Sequence, residues 1–120
     1  PQKIIVVVGY KAIEVRKSIK LRDILFSIQQ EQKGTGHAVM QTEEHLLDFK
    51  GTTIILSGDV PLINYQTLLS FYSKHTASNF EASILTAVIK NPEGYGRIVR
   101  NTKGNLSKIC EHKDCNSKPR

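Results

Sequence analysis

The sequence predicts an α/β fold, a three-layer sandwich with a mostly parallel sheet, and three observations predict it. Short apolar runs rich in β-branched residues, such as Ile4–Val8 and residues 52–56, have the length and composition of strands. Segments with helical apolar spacing separate them, and that alternation favours parallel neighbours joined by helical crossovers. Residues 52–56 also lack polar alternation, as a strand covered on both faces does.

In chain order, Ile4–Val8 is a strand ending in a turn at Gly9, and Ala12, Val15 and Ile19 give the next segment a helical stripe. Ile24–Ile28 is a second strand. Thr35, with Ala38, Val39, Leu46 and Leu47, predicts one helix over 35–47. The third unit repeats the order, with a strand over 52–57, a helix begun by Asn64 and marked by Ile63, Leu68, Leu69, Phe71 and Tyr72, and a returning strand over 82–89. Residues 97–100 and 106–109, separated by Asn101-Thr102-Lys103-Gly104-Asn105, predict a hairpin. The chain contains no internal repeat or low-complexity tract.

A chain of 120 residues supports one modest core, so it is one domain or part of one. It has neither the roughly 20 consecutive apolar residues that a membrane helix needs nor a signal peptide, and a cytoplasmic location is expected. It opens on Pro1 and enters a strand almost at once, as a piece of something longer would. From Lys90 onward eight basic residues face three acidic ones, while the rest of the chain sums to only +1. Tyr95 is the sole aromatic residue of that basic stretch, which argues against a nucleic-acid platform. Cys110 and Cys115 flank His112 and Asp114, but the Cys-x4-Cys spacing lacks a second ligand pair, and two free thiols are expected instead of zinc or a disulfide.

Four segments could carry chemistry. In Ser57-Gly58-Asp59-Val60-Pro61, Gly58 frees the turn and Pro61 stops the strand, leaving Asp59 beyond its carboxyl end, where it can hold a hard cation or merely cap a loop or helix. In the connection 29–38, Gly34 and Gly36 let a ligand approach the backbone and Gln29 can read a base edge, whereas Thr35 as a simple N-cap is the competing reading. Gly94-Tyr95-Gly96-Arg97-Ile98 is a turn whose interest is its place at a strand end. Glu111-His112-Lys113-Asp114 ends the hairpin with groups that suit sugar hydroxyls and phosphates, or plain solvent. His37 and His45, eight residues apart, do not match the spacing of a metal pair, and His45 is expected on the surface.

Taken in order, Glu31-Gln32-x-Gly34-Thr35-Gly36-His37-Ala38, Leu56 to Leu62, Gly94 to Ile98 and Glu111 to Asp114 resemble the motifs of the bacterial N-acetylglucosamine-1-phosphate uridyltransferases. The resemblance runs from end to end, with one extra residue in the Asn101 to Asn105 turn. It implies a Rossmann-like nucleotide-diphospho-sugar transferase fold, usually fused to an acetyltransferase β-helix through which the parent forms a homotrimer. It also implies a magnesium cofactor and two substrates, UTP and N-acetylglucosamine-1-phosphate, which yield UDP-N-acetylglucosamine for peptidoglycan and lipopolysaccharide. By carry-over, Gln29, Gly34 and Thr35 would contact the uracil, and Gly58 would line the nucleotide side. Ser57, counted with the substrate-binding residues, stands where some members have tyrosine. Asp59 would bind the magnesium, and Gly96 and Glu111 would hold the N-acetylglucosamine.

The family's opening strand, its glycine-rich triphosphate loop, a later Glu-Asn-Thr-Gly motif and an asparagine metal ligand have no counterpart in the sequence. Residues 1–120 are therefore expected to be a fragment of the nucleotidyltransferase domain, inactive alone. Another sugar-1-phosphate nucleotidyltransferase, or a non-catalytic nucleotide- or nucleic-acid-binding remnant, is the alternative.

Overall fold

The computed structural model describes Pro1–Cys110. It divides into two units, Pro1–Asn79 and one that begins at Phe80.

The first unit opens with β1 (Ile4–Val8), α1 (Ala12–Ser18) and β2 (Ile24–Ile28), a βαβ crossover whose strands pair in parallel from Ile4↔Ile24 to Val8↔Ile28. Both strands have the bounds the sequence predicts. The backbone N–H of Gln29 donates to Val8 O at 2.8 Å and prolongs the ladder by one residue. Burial deepens toward this end: Ile4 is exposed, whereas Val8 and Ser27 are buried. α1 begins after Lys11, which sits in the left-handed region at φ 56°, and Gly9 O closes the turn by accepting from Ala12 N–H at 3.1 Å. The Arg16 guanidinium lies 5.0 Å from the Phe26 ring centre, a cation–π contact between helix and strand.

The helix expected over 35–47 is instead two short ones, α2 (Thr35–Met40) and α3 (Glu43–Leu46). Thr42 explains the break. Its hydroxyl and its N–H both return to Val39 O, at 2.7 and 2.9 Å, so a local closure replaces the regular i to i−4 ladder. α4 (Tyr65–Thr76) starts where Asn64 predicts, with extended backbone at Asn64 and its Oδ1 accepting from Thr67 N–H at 2.9 Å. Ile63, Thr67, Leu68, Phe71, His75 and Ser78 form its half-buried stripe at helical spacing.

Two expected strands are absent. Residues 52–57 and 82–89 have no regular secondary structure, and Ile55 at 66% and Val88 at 105% exposure show that neither run is covered along its length. β-branched composition expresses fitness for a pleated, half-buried surface, and a strand exists only through ladder partners, which neither segment has among the described residues. The α/β character stands, but the sheet of the first unit is a parallel pair, and a three-layer sandwich is not formed among the described residues.

The second unit contains β3 (Arg97–Arg100) and β4 (Leu106–Cys110), the expected antiparallel hairpin. Asn101 Oδ1 accepts from the N–H groups of Lys103 and Asn105 at 3.0 Å each, and Gly104 supplies φ 80°. The register shifts between Val99, opposite Lys108, and Arg100, opposite Leu106. Cys110 is disulfide-bonded, contrary to the expectation of free thiols. That expectation rested on the redox poise of the expected compartment, which does not by itself decide the state of a given thiol. No helix among the described residues is long and apolar enough to cross a membrane.

Candidate functional site

The parallel register carries Gln29 to the carboxyl end of β2, beside the turn that follows β1. The approach is close, since a Cβ on Gly9 would lie 3.4 Å from Gln29 O. From there the chain runs through Glu31 and Lys33, which form an exposed ion pair, to Gly34 at the N-terminal boundary of α2. Gly34 has φ 98° and ψ 178°, a conformation closed to residues with a Cβ, and this turns the chain so that its carbonyl faces back toward β2.

The half-buried Gln29 side chain is tied down on that turn. Its Nε2 donates to Gly34 O at 3.1 Å and lies 3.0 Å from His37 Nδ1. On the other side of the imidazole, Gln41 Nε2 lies 3.3 Å from His37 Nε2 and donates to His37 O at 3.0 Å. A chain of polar groups, Gln29–His37–Gln41, thus links the strand end to the far end of α2. Thr35, the first residue of α2, is exposed and its side chain caps nothing, so the simple N-cap reading fails.

Asp59 lies in an exposed turn with Gly58, and its carboxylate has no hydrogen-bond or ion-pair partner among the described residues. The turn is closed by Val60 N–H donating to Ser57 O at 3.3 Å. A Cβ on Gly58 would meet nothing within 4 Å, so that glycine serves no packing requirement. Among the described residues no group of three or more His, Cys, Asp or Glu side chains is placed to share a metal ion. Among the described residues Asp59 is thus a lone exposed carboxylate, a group of the kind that can ligate a hard cation.

Of the remaining sequence-derived positions, Gly96 precedes β3 in the second unit, after a turn in which Tyr95 N–H donates to Pro92 O at 3.1 Å. Glu111, with His112, Lys113, Asp114 and Cys115, lies outside the described residues. The structure brings Gln29 and Gly34 into direct contact, and no hydrogen bond or ion pair joins Asp59 to them. His45 departs from expectation, because it is half-buried and its carbonyl accepts from Lys3 Nζ at 2.9 Å. Sequence reasoning missed His37 as a partner of Gln29 and Gln41 as a partner of His37. The four-residue spacing of His37 and Gln41 was the available signal, since on a helix it puts both on one face.

A groove of about 500 Å³ opens beside this cluster, between β2 and the α2–α3 pair, with Phe26, Ser27, Met40, Glu43 and Glu44 in its wall. Ser27 Oγ is buried there without a hydrogen-bond partner among the described residues.

Comparison with known proteins gives a consistent result. The family model described as nucleotidyl transferase matches residues 2–114. Relatives named bifunctional protein GlmU include one from Levilactobacillus brevis, 50% identical over 115 residues, which cover 96% of this chain and 25% of that protein. A second, from Geobacillus sp., is 45% identical over 119 residues, or 99% of this chain and 26% of that protein. A third, from Clostridium botulinum, is 43% identical over 110 residues, or 92% and 24%. The chain thus spans about a quarter of the length of the curated relatives it matches.

Proposed function

The chain belongs to the nucleotidyl transferase family, and on that premise we propose that it carries the base-reading and metal-holding residues of a magnesium-dependent uridylyltransferase. The substrates are UTP and N-acetylglucosamine-1-phosphate, and the products are UDP-N-acetylglucosamine and pyrophosphate, made in the cytoplasm for peptidoglycan and lipopolysaccharide. The single observation that carries this reading is the Gln29 side chain, held on Gly34 O and beside His37 at the carboxyl end of a parallel strand. That is the position where open α/β sheets receive ligands, and the group presented can read a pyrimidine edge.

The chemistry is an in-line displacement. An oxygen of the sugar phosphate attacks the α-phosphorus of UTP, the bond to the bridging oxygen of the β-phosphate breaks, and pyrophosphate leaves with that electron pair. Gln29 fixes the base, Gly34 keeps the adjoining wall free of side chain, and Ser57 and Gly58 border the nucleotide. The free carboxylate of Asp59 would hold magnesium, which when bound neutralises charge gathering on the phosphate oxygens. Gly96 and Glu111 would contact the sugar. Acetyl transfer and homotrimer assembly, which the resemblance also implies, would reside outside these residues.

The test is turnover of the complete gene product with UTP, dTTP, CTP and GTP side by side, each with N-acetylglucosamine-1-phosphate and magnesium. UTP is expected to be preferred, with pyrophosphate released in equal amount to the nucleotide-sugar. Preference for another nucleotide would replace the base assignment. Salt-steep binding of RNA or DNA without turnover would replace the enzyme reading altogether.

A further inference from the structure

We propose that His37 is a positioning residue that sets which base is accepted, by fixing the orientation of the Gln29 amide. The inference rests on the uridylyl-transfer reading for the identity of the base, and on the structure for everything else. Gln29 Nε2 carries two hydrogens, and two acceptors are in place for them, Gly34 O at 3.1 Å and His37 Nδ1 at 3.0 Å. The amide NH2 is then fully used, and the group left for a ligand is the carbonyl Oε1, an acceptor. On its Watson–Crick edge uracil has one donor, N3–H, between two carbonyl acceptors. Cytosine has a bare N3 there. An outward Oε1 opposite position 3 binds the first and repels the second.

The orientation depends on His37 because a neutral imidazole has one accepting nitrogen. Gln29 Nε2 approaches Nδ1 and Gln41 Nε2 approaches Nε2, so both amides offer a donor and one must yield. Turning Gln29 would exchange its His37 contact for one accepted from a protonated Nδ1, but it would forfeit the 3.1 Å bond to Gly34 O and set Oε1, an acceptor, against that carbonyl. Gln41 needs only to give up its longer ring contact of 3.3 Å, and it keeps its bond to His37 O at 3.0 Å. The network therefore selects the tautomer with its proton on Nε2 and a bare Nδ1, which points Oε1 of Gln29 outward. The opposite tautomer would require Gln29 to turn, present NH2 to the ligand and favour the cytosine edge.

Two measurements test this separately from the uridylyl reading. First, nitrogen-15 spectra of the protein without nucleotide report the His37 tautomer and the Gln29 amide protons. A bare Nδ1 and a Gln29 amide slow to exchange are expected, and a proton on Nδ1 overturns the proposal whatever the protein binds. Second, relative kcat/KM for UTP and CTP is measured in the complete gene product for wild type, His37→Ala and His37→Asn. Removing the acceptor in His37→Ala frees the amide to turn and should lower the UTP-over-CTP ratio about ten- to a hundredfold, the range for leaving a base-reading group wrongly paired. Asn places an acceptor, Oδ1, on the same Cγ as Nδ1 and should restore most of that ratio. A ratio unchanged in His37→Ala, or lost equally in both variants, overturns the proposal. If wild type itself shows no preference for UTP, the uridylyl reading fails, and the base-selecting role of His37 fails with it.

Discussion

At the scale of single residues, the contrast between Gln29 and Asp59 decides what each substitution should do. Gln29 is held by its neighbours, so its position exists before any ligand arrives. Asp59 is exposed in a turn and has no partner among the described residues, so none of their contacts depends on its charge. Asp59→Asn removes one anionic ligand from a magnesium ion and should lower magnesium-dependent turnover of the complete gene product at least about tenfold, a loss of about 1.4 kcal/mol or more in the transition state. Far-ultraviolet circular dichroism should be unchanged. A magnesium titration that leaves turnover and apparent metal affinity at wild-type values would make Asp59 a loop residue and nothing more. Ser27 makes a second residue-scale case, because its buried hydroxyl has no partner among the described residues and the cost of taking it out of water is uncompensated by them. Ser27→Ala is accordingly expected to leave stability unchanged or raise it, as denaturant midpoints of the complete gene product would show.

At the scale of elements, α4 gives the cleanest prediction. The Asn64 side chain satisfies an N–H that the helix cannot satisfy itself, and Asn64→Ala should cost about 1 kcal/mol. Hydrogen exchange at Thr67 N–H should then be about fivefold faster, while Asn64→Ser or Asn64→Asp keeps an acceptor and most of the protection. The same comparison shows what was legible in the sequence. β1, β2, the start of α4 and the hairpin were legible because their signals are local: short β-branched runs, a capping side chain, a five-residue turn from Asn101 to Asn105. The 52–57 and 82–89 segments carry equally good local signals and form no strands, since a ladder requires a neighbour that no window of sequence can supply. The split between α2 and α3 turned on Thr42, one hydroxyl whose bond to Val39 O is invisible to apolar periodicity. Within the candidate site, the motif order pointed to Gln29 and Gly34, but the imidazole between two amides emerged only from distances.

At the scale of the whole molecule, exposed apolar side chains dominate the chain's behaviour in isolation. Leu62 is 92% exposed, Tyr10 78% and Val88 105%, while Ile54, Ile55 and Leu56 are all exposed in one unpaired segment. Among the described residues β1 and β2 have only each other as ladder partners, which leaves backbone groups on an outer edge ready to pair with another chain. The 120-residue polypeptide expressed by itself is therefore expected to bind a hydrophobic dye, to associate as concentration rises and to melt over a broad range, with no pyrophosphate released from UTP. A sharp, concentration-independent melt without dye binding would show that these surfaces are tolerated in water, and magnesium-dependent turnover would show that the residues present suffice for catalysis.

The irregularity in the hairpin has a consequence for how this stretch of chain can change over generations. The turn from Asn101 to Asn105 is closed by its own bonds, with Asn101 N–H donating to Asn105 O at 2.9 Å and Arg100 Nη1 to Gly104 O at 2.9 Å. Just outside it, the shift between Val99 and Arg100 lets two residues of one strand answer one of the other. A single inserted residue can therefore be taken up at the tip, and Ile98 and Ile109 still meet across the ladder. The tip is thus the place in the hairpin that can absorb an added residue while the paired residues beneath it stay in phase.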